Sequence, residues 1–76
     1  MNTERRNKIE RLWAIVDNVK TEIESIRDDE QAAFDNMPEG LQDSENGQKT
    51  QGAIESLESA VSSLEDAAQS LTDAQN

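Results

Sequence analysis

Apolar residues in this chain recur at intervals that alternate between three and four. They fall at Ile9, Leu12, Val16, Val19, Ile23 and Ile26, and again at Ile54, Leu57, Val61, Leu64, Ala68 and Leu71. Continuing the first series brings Glu30, Ala33 and Met37 into the same frame. On a helix such positions form one stripe, the a and d columns of a heptad repeat, and a second helix must cover it. This pattern outweighs the composition. Apolar residues make up 33% of the 76, and 17 acidic against 7 basic residues leave a net charge of −10. With a mean hydropathy of −0.90, that balance alone would describe a chain unable to fold. Twelve seam positions without a polar residue predict two long helices instead.

The break between them is local chemistry. Pro38 disfavours helical geometry at Met37, which ends the first helix near Phe34–Asn36. Gly40 can take positive φ in the turn, and Asp43 or Ser44 is a candidate cap for the second helix. Phe34 and Met37 are expected to close the end of the hairpin with Leu41 packed on them, while Asp35 and Asn36 supply acceptors to the turn. The predicted elements are a helix over 3–35, a turn over 36–42 and a helix over 43–73, in one domain covering 1–76. Gly47 and Gly52 each cost about 1 kcal/mol inside a helix. The start of the second helix therefore stays open between residue 43 and Thr50.

So short a connection makes the helices antiparallel. Pairing residues whose numbers add to 80 matches all twelve seam residues: Ile9–Leu71, Leu12–Ala68, Val16–Leu64, Val19–Val61, Ile23–Leu57 and Ile26–Ile54. That register centres the turn on Gly40 and sets Lys20 beside Glu58. The fold class is thus all-α, an antiparallel two-helix coiled-coil hairpin. The second helix carries a further repeat, with Ala53, Ala60, Ala67 and Ala74 in the g column and Ser56, Ser63 and Ser70 in the c column. Apolar groups beside the seam remain unused, namely Trp13 at e, Ile15 at g, Phe34 and the Ala column. A two-helix chain of this length buries little by itself, so dimerisation into a four-helix bundle is expected, with Trp13, Ile15, Phe34, Ala60 and Ala67 at the interface. The alternative is a monomer in which Trp13 folds over the edge of the hairpin.

Charge is uneven along the chain. Residues 1–20 are net +2, and residues 21–76 are net −12. Asp28, Asp29, Glu30, Asp35 and Glu39 gather at the turn, and Arg5, Arg6, Lys8 and Arg11 at the open end. The acidic tip is a candidate surface for a protein partner, although acidic clusters commonly serve solubility alone. The basic end is a candidate anion or nucleotide site, or simply a balance for Glu4, Glu10, Asp66 and Asp73.

The stretch from Asp28 to Glu45, above all Phe34-Asp35-Asn36-Met37-Pro38, resembles a recurring acidic turn in small uncharacterised helical-hairpin proteins of bacteriophages and mobile elements. In those proteins it precedes a helix of Ala-Ile/Val-x-x-Leu-Glu heptads, like that from Ala53 here. The similarity runs from about Arg5 to Leu71. It implies a phage-type accessory protein in a bacterial host and brings no assigned activity.

The chain contains no His, Cys or Tyr. That removes imidazole bases, thiol nucleophiles, thiolate or imidazole metal sites and disulfides. No calcium-loop motif is present, and neither a cofactor nor a metal is expected. The longest apolar run, Leu12–Val16, is far too short for a bilayer, and Met1–Arg6 lacks the apolar region of a signal peptide. A cytoplasmic location without a membrane partner is expected. Direct binding to duplex DNA is not expected at this net charge. Three classes of non-enzymatic function follow. The first is an antagonist of a host defence or nucleic-acid-binding protein, its carboxylates standing in for phosphates. The second is an oligomeric sponge for a nucleotide or phosphate, and the third a purely structural oligomerisation module.

Overall fold

The computed structural model describes residues 1–76 and consists of three helices, α1 over Thr3–Asp35, α2 over Glu39–Gln42 and α3 over Glu45–Ala74. No strand is present. A 33-residue helix such as α1 is about 50 Å long. The whole molecule measures only 58 × 14 × 12 Å, so α3 must run back along α1, and the two pack together. The result is a rod. Its radius of gyration is 17.2 Å, against about 11 Å for a compact chain of this length.

Both long helices begin on side-chain caps. Asn2 Oδ1 accepts from the Arg5 backbone N–H at 2.8 Å. Ser44 caps α3, its Oγ accepting from the Gly47 N–H at 3.3 Å. Of the two predicted caps it is therefore Ser44, and α3 starts at Glu45 rather than at residue 43 or Thr50.

The turn is more ordered than its sequence suggests. Asn36 ends α1 with φ −85°, Pro38 opens the single turn of α2, and Gln42 Nε2 donates to the Phe34 carbonyl at 3.1 Å. That bond satisfies one of the carbonyls that a helix C-terminus leaves free. No glycine has positive φ, which corrects the expectation for Gly40: as part of α2 it is helical. The glycine that the turn requires is Gly47. It is buried, and a Cβ there would collide with the Gln42 carbonyl and come within 2.6 Å of Leu41 O. Removing the side chain lets α2 lie against the first turn of α3. Leu41 stays exposed instead of folding back, and Asp35 accepts from Gln31 Nε2 at 3.0 Å instead of from the turn.

This turn sets the register. Beside the half-covered Ala60, the partly and fully covered positions of α3 and its C-cap are Gly47, Thr50, Ile54, Leu57, Val61, Leu64, Ala68, Leu71 and Gln75. Reflected about residue 42 they become Met37, Phe34, Glu30, Arg27, Ile23, Lys20, Val16, Trp13 and Ile9. All of these are half-covered except Trp13, which is 38% exposed. Facing residues thus have numbers that add to 84, not 80. The surface clefts agree, since Trp13, Val16 and Lys20 line one together with Leu64, Ala68 and Thr72.

The shift has a consequence for α1. On α3 the a and d columns are covered, as expected. On α1 the a column is covered, but its companion is the e column (Trp13, Lys20, Arg27, Phe34) in place of d. Leu12, Val19 and Ile26 point outward, 45%, 39% and 52% exposed. The predicted pairings of Leu12–Ala68, Val19–Val61 and Ile26–Ile54 are therefore replaced, with Val61 facing Ile23 and Ile54 facing Glu30. Lys20 pairs with Asp17 at 4.0 Å and not with Glu58. Lys20 and Arg27 enter the seam with their alkyl stems and keep their charges at its edge.

Little is fully buried. Ile54 and Val61, 6% and 5% exposed, form the core together with Gly47. The surface area is 5438 Å², against about 4,700 Å² for a compact 8.5 kDa chain by the surface–mass scaling.

Candidate interaction surface

Two columns of α1 face away from α3. The d column gives Leu12, Val19 and Ile26, and the g column adds Ile15, 50% exposed. Read along the helix, the d and g positions are Arg5, Lys8, Leu12, Ile15, Val19, Glu22, Ile26, Asp29 and Ala33. The spacing is again an alternation of three and four. Four aliphatic side chains at its centre form an apolar stripe, interrupted once by Glu22, with a basic residue pair at one end and acidic residues at the other.

α3 contributes the other half of this face. At about 100° per residue, the d/g face of α1 lies about a quarter turn from its seam, and so does the c/g face of α3. Because the helices are antiparallel, both quarter turns lead to the same side of the hairpin. There α3 presents Ala53, Ser56, Ala60, Ser63, Ala67 and Ser70, all exposed except the half-covered Ala60. One side of the rod therefore carries a large-residue stripe beside a small-residue stripe.

The five residues expected at an oligomer interface divide accordingly. Trp13 and Phe34 lie on the intrachain seam, Trp13 in the cleft with Val16 and Ala68, Phe34 in one with Gln51 and Ile54. Ile15, Ala60 and Ala67 lie on the outer face. Leu12, Val19 and Ile26 belong with them, although the heptad pattern places them in the intrachain seam. Their relocation follows from the turn, and the sequence signal that bore on it was Gly47.

At the acidic tip, Asp28 is held by Arg27 at 3.1 Å and Asp35 by Gln31. Glu30 is half-covered in the seam level with Ile54, while Asp29 and Glu39 are exposed. These carboxylates converge on no centre, and no cluster of three or more acidic residues is arranged to hold a metal ion. At the open end Lys8 pairs with Glu4 at 3.5 Å. Arg5, Arg6 and Arg11 make no ion pair within the chain. Their helical spacing spreads them around α1, so a single hairpin does not gather them into an anion pocket.

The clefts are shallow. The largest, about 240 Å³ and lined by Glu10, Trp13, Thr72 and Gln75, falls below the size range of small-molecule sites. No helix is long and apolar enough to cross a membrane. No family model matches the chain, and neither a curated protein nor a solved structure matches it.

Proposed function

We propose that this protein works by protein–protein contact, as a non-enzymatic helical hairpin that associates with itself through the outer face of α1 and α3. One observation carries the reading: four large aliphatic side chains, Leu12, Ile15, Val19 and Ile26, are 39–52% exposed along a helix whose seam, about a quarter turn away, is already packed. An apolar stripe rimmed by charge is the usual mark of an interface. Sedimentation equilibrium of the full chain tests it. Association predicts a species of at least twice the 8.5 kDa chain mass at micromolar concentration, and Leu12→Ser with Ile26→Ser should return it to the single-chain mass. A wild-type protein that stays at one chain mass overturns the reading.

Self-association leaves the acidic surface free for a second partner. The proposed partner is a basic, nucleic-acid-binding protein of a bacterial host. Its support is the net −12 of residues 21–76 on a 58 Å rod, together with the phage-like turn. Carboxylates along such a rod can stand in for backbone phosphates. Binding should compete with duplex DNA for the partner's surface and weaken steeply as ionic strength rises. Binding indifferent to both would leave the acids to solubility alone. A nucleotide sponge has less support, because Arg5, Arg6 and Arg11 diverge.

A further inference from the structure

We infer that the face of α1 is covered by a second copy of the chain arranged antiparallel, α1 on α1 and α3 on α3, with the two acidic turns at opposite ends of the dimer. The inference rests on the self-association proposed above and specifies its geometry. Two symmetric ways of stacking the outer faces exist. A two-fold axis along the helices would lay α1 on the partner's α3 and bring both turns to one end. A two-fold axis across the helices would lay α1 on the partner's α1 and separate the turns.

Charge chooses between them. Val19 is the midpoint of α1, which spans Thr3–Asp35. Residues 3–18 carry Arg5, Arg6, Lys8 and Arg11 against Glu4, Glu10 and Asp17, net +1. Residues 20–35 carry Lys20 and Arg27 against Glu22, Glu24, Asp28, Asp29, Glu30 and Asp35, net −4. Crossing the helices at Val19 sets the positive half of each on the negative half of the other. Stacking the turns together instead crowds the seven acids between Asp28 and Glu45 of each chain against their own copies. Opposed potentials of this kind steer association and suppress the wrong alignment.

The d column of α1 fits the crossed arrangement, while in the g column Ile15 comes level with Glu22 of the second copy. With the axis at Val19, facing residues of α1 have numbers that add to 38. Leu12 then meets the second copy's Ile26, Val19 meets its own counterpart, and Lys8 comes level with Asp29 and Glu30. In the hairpin Val19 is level with residue 65, so the same axis pairs α3 residues whose numbers add to 130. That sets Ala60 against Ser70 and Ser63 against Ala67, small residue on small residue. One axis therefore aligns the d column of α1 and the small-residue stripe of α3.

Cysteine pairing tests the arrangement in the full chain, which has no native cysteine. Val19→Cys, Leu12→Cys and Ile26→Cys replace exposed residues, and circular dichroism confirms that each variant keeps its helix content. Under mild oxidation Val19→Cys should form a covalent dimer. Leu12→Cys mixed with Ile26→Cys should cross-link at least tenfold faster than either alone. A sedimenting dimer in which Val19→Cys fails to cross-link overturns the arrangement and leaves self-association standing, as does rapid self-linking of Leu12→Cys. A protein that sediments as a single chain overturns both. Charge offers an independent check, since Lys8→Glu and Asp29→Lys should each weaken the dimer severalfold and restore it when mixed. Mixtures no tighter than the separate variants count against the crossed alignment.

Discussion

α1 and α3 carry the same apolar rhythm, yet they use it differently. α3 turns its a and d columns to α1 and keeps only small or polar residues outside. α1 turns its a and e columns inward and leaves Leu12, Val19 and Ile26 in solvent. The difference originates in a few atoms of the turn. Contact between Gly47 and the backbone of Gln42 centres the hairpin on residue 42, and in that register the half-covered Phe34 and the 38% exposed Trp13 flank the seam. Fully exposing an aliphatic side chain forgoes about 1.5–3 kcal/mol, and α1 forgoes part of that at four positions. A heptad repeat thus names the columns available to a helix, while the turn selects the one used inside the chain.

Substitutions that treat the two helices alike should break this comparison if it is wrong. The largest effect is expected in the core of α3. Ile54→Ala should lose about 2–4 kcal/mol of unfolding free energy in denaturant titrations, independent of protein concentration. Ile26→Ala, the same chemistry on α1, should cost far less in dilute solution, and its cost should grow with concentration as the dimer forms. Equal, concentration-independent losses at the two sites would remove the distinction.

The two α3 glycines sharpen the role of the turn. Gly47→Ala should destabilise by about 1–3 kcal/mol, because its methyl group meets the Gln42 backbone and strain exceeds the gain in helix propensity. Gly52 has nothing within 4 Å of a built Cβ, so Gly52→Ala should stabilise by about 0.5–1 kcal/mol. Ser44→Ala removes the α3 cap and should cost about 1 kcal/mol. The smallest effect is expected at Lys49, exposed and 3.6 Å from Glu45, where Lys49→Ala should change stability by less than about 0.5 kcal/mol. All are read from thermal or denaturant melts at fixed concentration.

Much of this architecture is legible in the residues. The 3–4 spacing marks both helices, Pro38 marks the end of α1, and Ser44 is a cap by its chemistry. What escapes is the rotation of α1. Both Leu12–Val19–Ile26 and Trp13–Phe34 are apolar columns flanking the same a positions, and periodicity alone gives each a claim on the seam. The pairing sum of 80 satisfies every aliphatic residue, which makes it attractive on hydrophobic grounds. It ignores the length of chain that α2 takes up and the backbone contact at Gly47. The outer face escapes for the same reason, because the heptad pattern points Leu12, Val19 and Ile26 inward. The acidic tip is plain in the sequence as a charge cluster, and its geometry adds Glu30 in the seam and Asp28 held by Arg27.

The inward face of α1 can be read most directly from methyl–methyl nuclear Overhauser contacts of Val61, the least exposed side chain of the core, in isotope-filtered spectra that separate contacts within a chain from those between copies. Intrachain contacts from Val61 to Ile23, with none to Val19, are the predicted result. Intrachain contacts from Val61 to Val19 would put the hairpin back in the register centred on Gly40 and cover the very stripe on which the proposed self-association rests.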